Sequence, residues 1–477
     1  MHSSHYDEAV TSHSTASDRT VLAVDIGTSH IKAALIGADG RIRAEAQAPL
    51  TTDRGPHGAM RQHVEEWHGA LGEVIAACCG TASSASQPPA AITLTGQMQD
   101  LILVDEHGDP THPVVLYSDT SAAPELVELL AANPAWAPGI AVAPAPDLDS
   151  VPPKLLRVVR TEPAAVAAAS TAHFSAAGWA AHVLCGAHVC DRVTASTTSA
   201  YDPRADAWIA LRTAEDQPLV PSHLALPELV DPGAVGHVSP EAARMFDVPA
   251  GTPVVMALGD AGSATDGMVG SEPGSVYLHL GTTGWVAYID PEPAGDLLRP
   301  AETGEPVDRH QLAHPAGHLV IARLPEAGEA LEHARRVLLG TTAPHSAAAH
   351  DIAEAALTRA LGSAASGDAG LARAQAYAEA VAAMAAEVAD LLDHLDARPS
   401  RLPATGGVVR SPGVRRILEE AVGVPLDLIP DVEAGLVSCA RTAFDALGIR
   451  HSVVPLVRRE VTAQSKGHGD LGGTDNG

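Results

Sequence analysis

The chain has 477 residues, 46% hydrophobic and 18% charged, a length that calls for two domains of roughly 200 residues, each with its own core. Lys and Arg number 30 against 58 Asp and Glu, and the resulting charge of −28 argues against nonspecific binding to nucleic acid or anionic lipid. Five dispersed cysteines fit free thiols in a reducing compartment rather than a disulfide framework.

Residues 1–18 are polar and rich in Ser and His, which predicts disorder, as does the composition of the tail from 460 to 477. The first residues hold no apolar run of signal-peptide length. The longest charge-free run, 163–190, is too broken by Ser, Thr, Gly and His to span a bilayer, and a cytoplasmic protein is expected. From 20 to 47 the pattern is strand, turn, strand, turn, strand: VLAVD, the turn GTSH, IKAALIG, then ADG and RIRAEAQA. Asp39-Gly40 between apolar runs is a hairpin signal. MRQHVEEWHGALGEVIAACCG has helical spacing and ends at a glycine suited to a C-cap. AAITLTGQ, LILVD and PVVLYSD read as short strands, and strands alternating with helices predict an α/β fold. The Pro- and Ala-rich middle, 125–250, yields one helix, from Lys154 to Arg160. TPVVMALGD is a buried strand. The boundary between an N-terminal domain, 19–250, and a C-terminal domain, 251–459, is placed just before it.

The second half repeats the opening. GSVYLHLGTTGWVAYID is again strand, turn, strand, so residues 21–36 and 275–289 are weakly self-similar, centred on Gly27-Thr28-Ser29 and Gly281-Thr282-Thr283. Two related domains facing each other would produce that repeat. LARAQAYAEAVAAMAAEVADLLDHL is a long Ala-rich helix with Met384 as core filler. LPATGGVV runs into the turn Gly406-Gly407, and Ser411-Pro412 supply an N-cap and first-turn proline for the helix GVRRILEEAVG. VPLDLIP and a last helix, EAGLVSCARTAFDAL, complete the pattern.

A Gly-Thr-Ser turn exposes backbone N–H groups and hydroxyls suited to phosphate oxygens, and Asp25 just before it suits Mg²⁺. Alone, the segment reads first as a hairpin turn capped by Asp25, with Lys32 bordering the strand. The second turn and Gly406-Gly407 shift the balance, because two phosphate turns on two domains can grip a nucleotide and a third Gly-rich turn can carry its ring or ribose. Asp260 ends a buried strand and opens a helix, where α/β proteins bind ligands, and is a candidate general base for a hydroxyl attacking a γ-phosphate. The bland reading of Asp260 is a helix cap; Asp266 reads as a solvated helix residue.

The segments VDIGTSHIKAAL, TLTGQMQDLILVDEHGDP, VVLYSD, PPKLLRVVRTEP, CDRVTASTTSAYDPRADAW, LGDAGSATDGMVG, LHLGTTGWVAYI and ATGGVVRSPGVRRILEEAVGVPL resemble, in order and spacing, the FGGY carbohydrate kinases, xylulokinase-like members above all. The resemblance spans about residues 19–450. It implies two actin-like (ribonuclease H-like) domains with ATP, Mg²⁺ and a sugar in the central cleft, and Asp260 as the base. Asp25 falls at the metal, Thr28 and Ser29 in the first phosphate turn, and Gly281, Thr282 and Thr283 in the second. Gly406, Gly407 and Ser411 fall on the adenosine side; Gln97, Met98, Gln99 and Asp119 fall with Asp260 on the sugar side.

The sequence departs from the family on that sugar side. Gln99 stands where His is usual, Tyr117 and Ser121 replace the indole and arginine of Trp-x-Asp-x-Arg around Asp119, and Ala261 replaces an Asn often found beside the base. The family's proline-rich loop is not found between 290 and 370. The expected activity is ATP-dependent phosphorylation of a small sugar (a ketose such as xylulose, or a related polyol or sugar acid). A catalytically silent nucleotide- or sugar-binding regulator is the alternative, and an actin-like ATPase without a sugar the third reading. The assembly is left open, a homodimer included.

Overall fold

The strand Thr20–Ile26 carries apolar residues on both faces because both faces are covered. Leu22, Val24 and Ile26 point into one core, with Trp67, Leu71 and Ile75 of the helix Val64–Cys79 and with Trp179 of the helix Ala176–Cys185. Val21 and Ala23, on the alternate face, join a different core containing Cys439, Ala440 and Phe444 of the helix Ala434–Ala446. In this computed structural model the described residues are 19–80, 88–137, 143–291, 309–324, 327–341, 346–362, 368–429 and 433–457. The expected disorder of 1–18 and 460–477 lies outside them.

Two six-stranded sheets share one plan. In the first the order is Gly233–His237, Pro253–Met256, Ile92–Gly96, Thr20–Ile26, His30–Gly37, Ile42–Pro49; the last three form an antiparallel meander, and Thr20–Ile26 runs parallel to Ile92–Gly96. In the second the order is Arg309–His314, Gly317–Leu324, Gly284–Asp290, Val276–Leu280, Leu402–Thr405, Leu426–Leu428, again antiparallel strands followed by parallel pairs, with Arg309–His314 added at the edge. The self-similarity of the two strand–turn–strand segments is therefore a duplication of sheet topology. A third core joins the sheets: Val21, Ala34 and Val255 of the first lie in one cluster with Tyr277, Ala287 and Leu319 of the second, across the helices Asp260–Val269 and Ala434–Ala446.

The expected domain boundary is corrected by this arrangement. Pro253–Met256 pairs in parallel with Ile92–Gly96 and belongs to the first sheet, whereas the second sheet begins at Val276. Asp266 is also corrected: it is buried and bonded to Arg441 at 2.7 Å across the two central helices. The helix expected from Met60 begins at Val64, because Met60–Gln62 pairs with Val114–Val115 in a smaller sheet. Ser411 caps the helix Pro412–Val422 as expected, accepting from Val414 N–H at 3.2 Å, and Met384 fills the second core. None of the five cysteines is in a disulfide.

Candidate active site

Asp25 shares a strand face with Val21 and Ala23 and so points toward the N-terminus of the helix Ala434–Ala446. A Cβ built at Gly435 would lie 3.0 Å from Asp25 Oδ2. Beside it Lys32, the register partner of Asp25, donates to Glu433 at 2.7 Å. Burial pushes Asp25 up to about 6, opposed by the Lys32 charge and aided by that of Glu433. Asp260 occupies the first position of the helix Asp260–Val269, with Gly259 as its cap, and accepts from Ala261 N–H at 2.6 Å. Burial first, then the charge of Asp25 and more weakly that of Asp191, push it up to about 7. Asp260 is nevertheless exposed to solvent and Asp25 partly so, with protein packed densely around both. A carboxylate raised by burial whose charge in turn raises Asp260 forms a site awaiting positive charge, and Mg²⁺ with phosphates uses one or two carboxylates rather than a full protein cage. Asp25 fits that use. Among the described residues no cluster of three or more His, Cys, Asp or Glu is set to hold a metal by itself.

The first turn is tied to Gln97, between the strands Ile92–Gly96 and Met98–Val104. Thr28 Oγ1 donates to Gln97 Oε1 at 2.8 Å, and buried Gln62 donates from Nε2 to the Thr28 carbonyl at 2.7 Å. Ser29 next to it is exposed. On the other lobe Gly281, Thr282, Gly407 and Ser411 line one cavity of about 210 Å³ with Leu331, Arg335, His350 and Tyr377. Glu329 N–H donates to Thr282 O, bringing the helix Ala327–Leu339 onto the turn. Gly406 has φ +101°, and a Cβ there would lie 2.2 Å from the Leu280 carbonyl, so only glycine lets the two turns approach. Gly407 has open space where a Cβ would go. A pocket walled by backbone at three glycines and by Tyr377 and Leu331 suits a flat ring and ribose, and the residues present fit a nucleotide.

The segment expected to face the sugar is held by buried hydrogen bonds. Gln99 adopts φ +64° at an irregularity in the pairing of Met98–Val104 with Thr171–Ser175, and its Nε2 donates to Thr197 O at 2.7 Å. Its carbonyl accepts from Lys154 Nζ at 3.2 Å. The same ammonium reaches Tyr117 O at 2.9 Å and Asp149 O at 2.6 Å. Lys154 is 1% exposed, and Asp100, fully buried nearby, accepts from Tyr117 N–H at 3.0 Å. Burial drives the lysine down and the aspartate up, each opposed by the other's charge. Tyr117, whose backbone these groups pin, leaves 36% of its surface exposed.

Asp119 departs from the expected sugar-side role. It is fully buried and accepts from Met60 N–H, Ser121 N–H and Oγ, and the Arg61 guanidinium. Burial alone would raise it, but the Ser121 and Met60 hydrogen bonds and the Arg61 charge outweigh that and hold it below the usual carboxylate range. A guanidinium does reach Asp119, from Arg61, whose strand pairs with Val114–Val115. Lys154, Asp100, Arg61 and Asp191 were not singled out as site residues from the sequence. Lys154, one of only three lysines, was the available signal, since a buried lysine needs a reason.

Two sheets of like plan joined across the helices Asp260–Val269 and Ala434–Ala446 make a two-domain, actin-like α/β fold. The pattern for the FGGY family of carbohydrate kinases, N-terminal domain, matches residues 20–267, and the chain belongs to that family. It is 30% identical over 284 residues to a xylulose kinase of Streptomyces rubiginosus, covering 57% of this chain and 55% of that protein. A xylulose kinase of Streptomyces coelicolor is 30% identical over 283 residues, 57% of this chain and 54% of that protein, so the chain spans about half the length of these curated relatives. Among solved structures, a xylulose kinase from Rhodospirillum rubrum superposes with TM-score 0.73 at 23% identity, covering 94% of this chain and 99% of that one. A glycerol kinase from Plasmodium falciparum with ADP gives 0.70 at 14%, covering 96% and 99%. At those identities the structures show a shared fold. Among the described residues no helix is long and apolar enough to cross a membrane.

Proposed function

We propose that the protein is an ATP-dependent kinase that phosphorylates a hydroxyl of a small sugar, a ketose such as xylulose or a related polyol or sugar acid. The observation that carries the reading is Asp260 at the opening of the helix Asp260–Val269, close enough to Asp25 for that charge to help push it up to about 7. A carboxylate poised near neutrality can take a proton from an alcohol as its oxygen attacks, and the helix N-terminus at Asp260 favours the ionised form that does so. Bound ATP with Mg²⁺ supplies the phosphoryl group. Thr28 and Ser29 bind phosphate oxygens from one lobe and Gly281, Thr282 and Thr283 from the other; Gly406, Gly407 and Ser411 flank the adenosine, and Asp25 holds the cation. Gln97, Met98 and Gln99 position the sugar, with Tyr117 presented to it by Lys154 and Asp100. Asp119 serves there through Arg61. We place the protein in the cytoplasm, in keeping with its acidic surface and with cysteines outside any disulfide.

Coupled ADP release across ketoses, aldoses, polyols and sugar acids tests the reading. Sugar-dependent release on at least one compound supports it. Tight sugar binding without ADP would favour a silent regulator, and release indifferent to every sugar would favour an ATPase.

A further inference from the structure

Asp191 is 1% exposed and caps the short helix Arg192–Thr197. Its Oδ1 accepts from Thr194 N–H at 3.0 Å and also from Gly259 N–H at 2.9 Å, the residue immediately before Asp260. Its Oδ2 is buried without a partner. A cap needs only the first of these bonds, and Ser or Asn would supply it without burying an unpaired charge. The second bond crosses 68 residues of chain to reach the peptide that aims the candidate base. Gly259 is hemmed in as well: a Cβ there would lie 2.3 Å from Met98 Sδ and 2.7 Å from Thr194 Oγ1. The same helix ends on the sugar side, where Thr197 O accepts from Gln99 Nε2 at 2.7 Å. It also reaches the second sheet, where Ala313 N–H donates to Ser196 Oγ at 2.9 Å.

We infer that Asp191 is a positioning residue for phosphoryl transfer: by gripping Gly259 N–H it fixes Asp260 relative to Gln99 and to the second lobe. The inference rests on Asp260 being the base. The helix Arg192–Thr197 is then the piece through which base, sugar side and second lobe keep one geometry. Misplacing a reacting group by about 1 Å costs on the order of 100-fold in rate.

Asp191→Ser separates the two bonds, because serine still caps Thr194 N–H while its hydroxyl, one bond shorter in reach, releases Gly259. The expected result is a kcat lowered about 10–100-fold with KM for ATP within about twofold. Asp191→Asn keeps the Oδ1 acceptor and restores kcat to within about threefold of wild type. Wild-type kcat in Asp191→Ser, or equal losses in both variants, overturns the inference. Amide exchange in the wild-type protein needs no variant: protection of Gly259 N–H is expected, and free exchange overturns the inference too. Asp260→Asn assayed alongside separates the failures. If it still turns over, the base assignment falls and the positioning role with it. If it is dead while Asp191→Ser is unaffected, only the positioning role falls.

Discussion

Replacing Asp260 with Asn should stabilise the protein without its ligands, and by an amount that depends on pH. The folded carboxyl, at about 7, sits above its ordinary value, so the folded state holds that proton more tightly than the unfolded chain does. Its contribution to stability is complete below about pH 4 and is lost as pH rises through about 7. Asn keeps the acceptor for Ala261 N–H but never carries the charge, so the variant escapes this loss. A shift of this size would amount to about 4 kcal/mol in a dry site at 1.36 kcal/mol per unit; Asp260 is exposed to solvent, and screening reduces the figure to about 1–2 kcal/mol. That corresponds to a thermal midpoint raised by roughly 1–4 °C at pH 8, with the gain vanishing near pH 4. Scanning fluorimetry of both proteins at pH 4.5, 6 and 8, without nucleotide, measures it. A gain equal at all three pH values, or a loss at pH 8, would refute the electrostatic account of the carboxylate pair.

Lys154→Met leaves the carbonyls of Gln99, Tyr117 and Asp149 unpaired and Asp100 without its cation, and should cost about 3–5 kcal/mol, read as a lowered urea midpoint. Gly407→Leu fills open cavity space and should raise KM for ATP about tenfold while the melting temperature stays within a few degrees. Gly406→Ala forces a Cβ against the Leu280 carbonyl at a left-handed φ and should lower both stability and nucleotide affinity, seen by calorimetric titration with ADP. The acid limb of kcat/KM for the sugar should have a midpoint near 7, activity rising with pH as Asp260 ionises.

What the sequence made legible was local. The two turns, the hairpin at Asp39-Gly40 and the Ser411 cap are set by neighbours a few residues apart, and the fold repeats them where they were expected. The boundary near 250 failed because a parallel strand buried on both faces carries no mark of which sheet it joins; Val254 and Val255 face different cores of the first lobe's sheet. The supports of the site were out of reach for the same physical reason. Arg61 meets Asp119, Lys154 meets Gln99 and Asp191 meets Gly259 across separations of 58, 55 and 68 residues, contacts that only the folded topology creates. Asp266 looked like a surface helix residue because its partner, Arg441, lies 175 residues away. Gln99 is the converse case: the substitution was visible, but its left-handed backbone and its bond to Thr197 O were not.

The most direct measurement is phosphoryl transfer from ATP to the accepted sugar by wild-type protein and Asp260→Asn under saturating substrates. The account predicts sugar-dependent transfer by the wild type and a loss of about 100- to 10,000-fold in the variant, with ATP affinity within a few fold. Turnover retained by purified Asp260→Asn would contradict it.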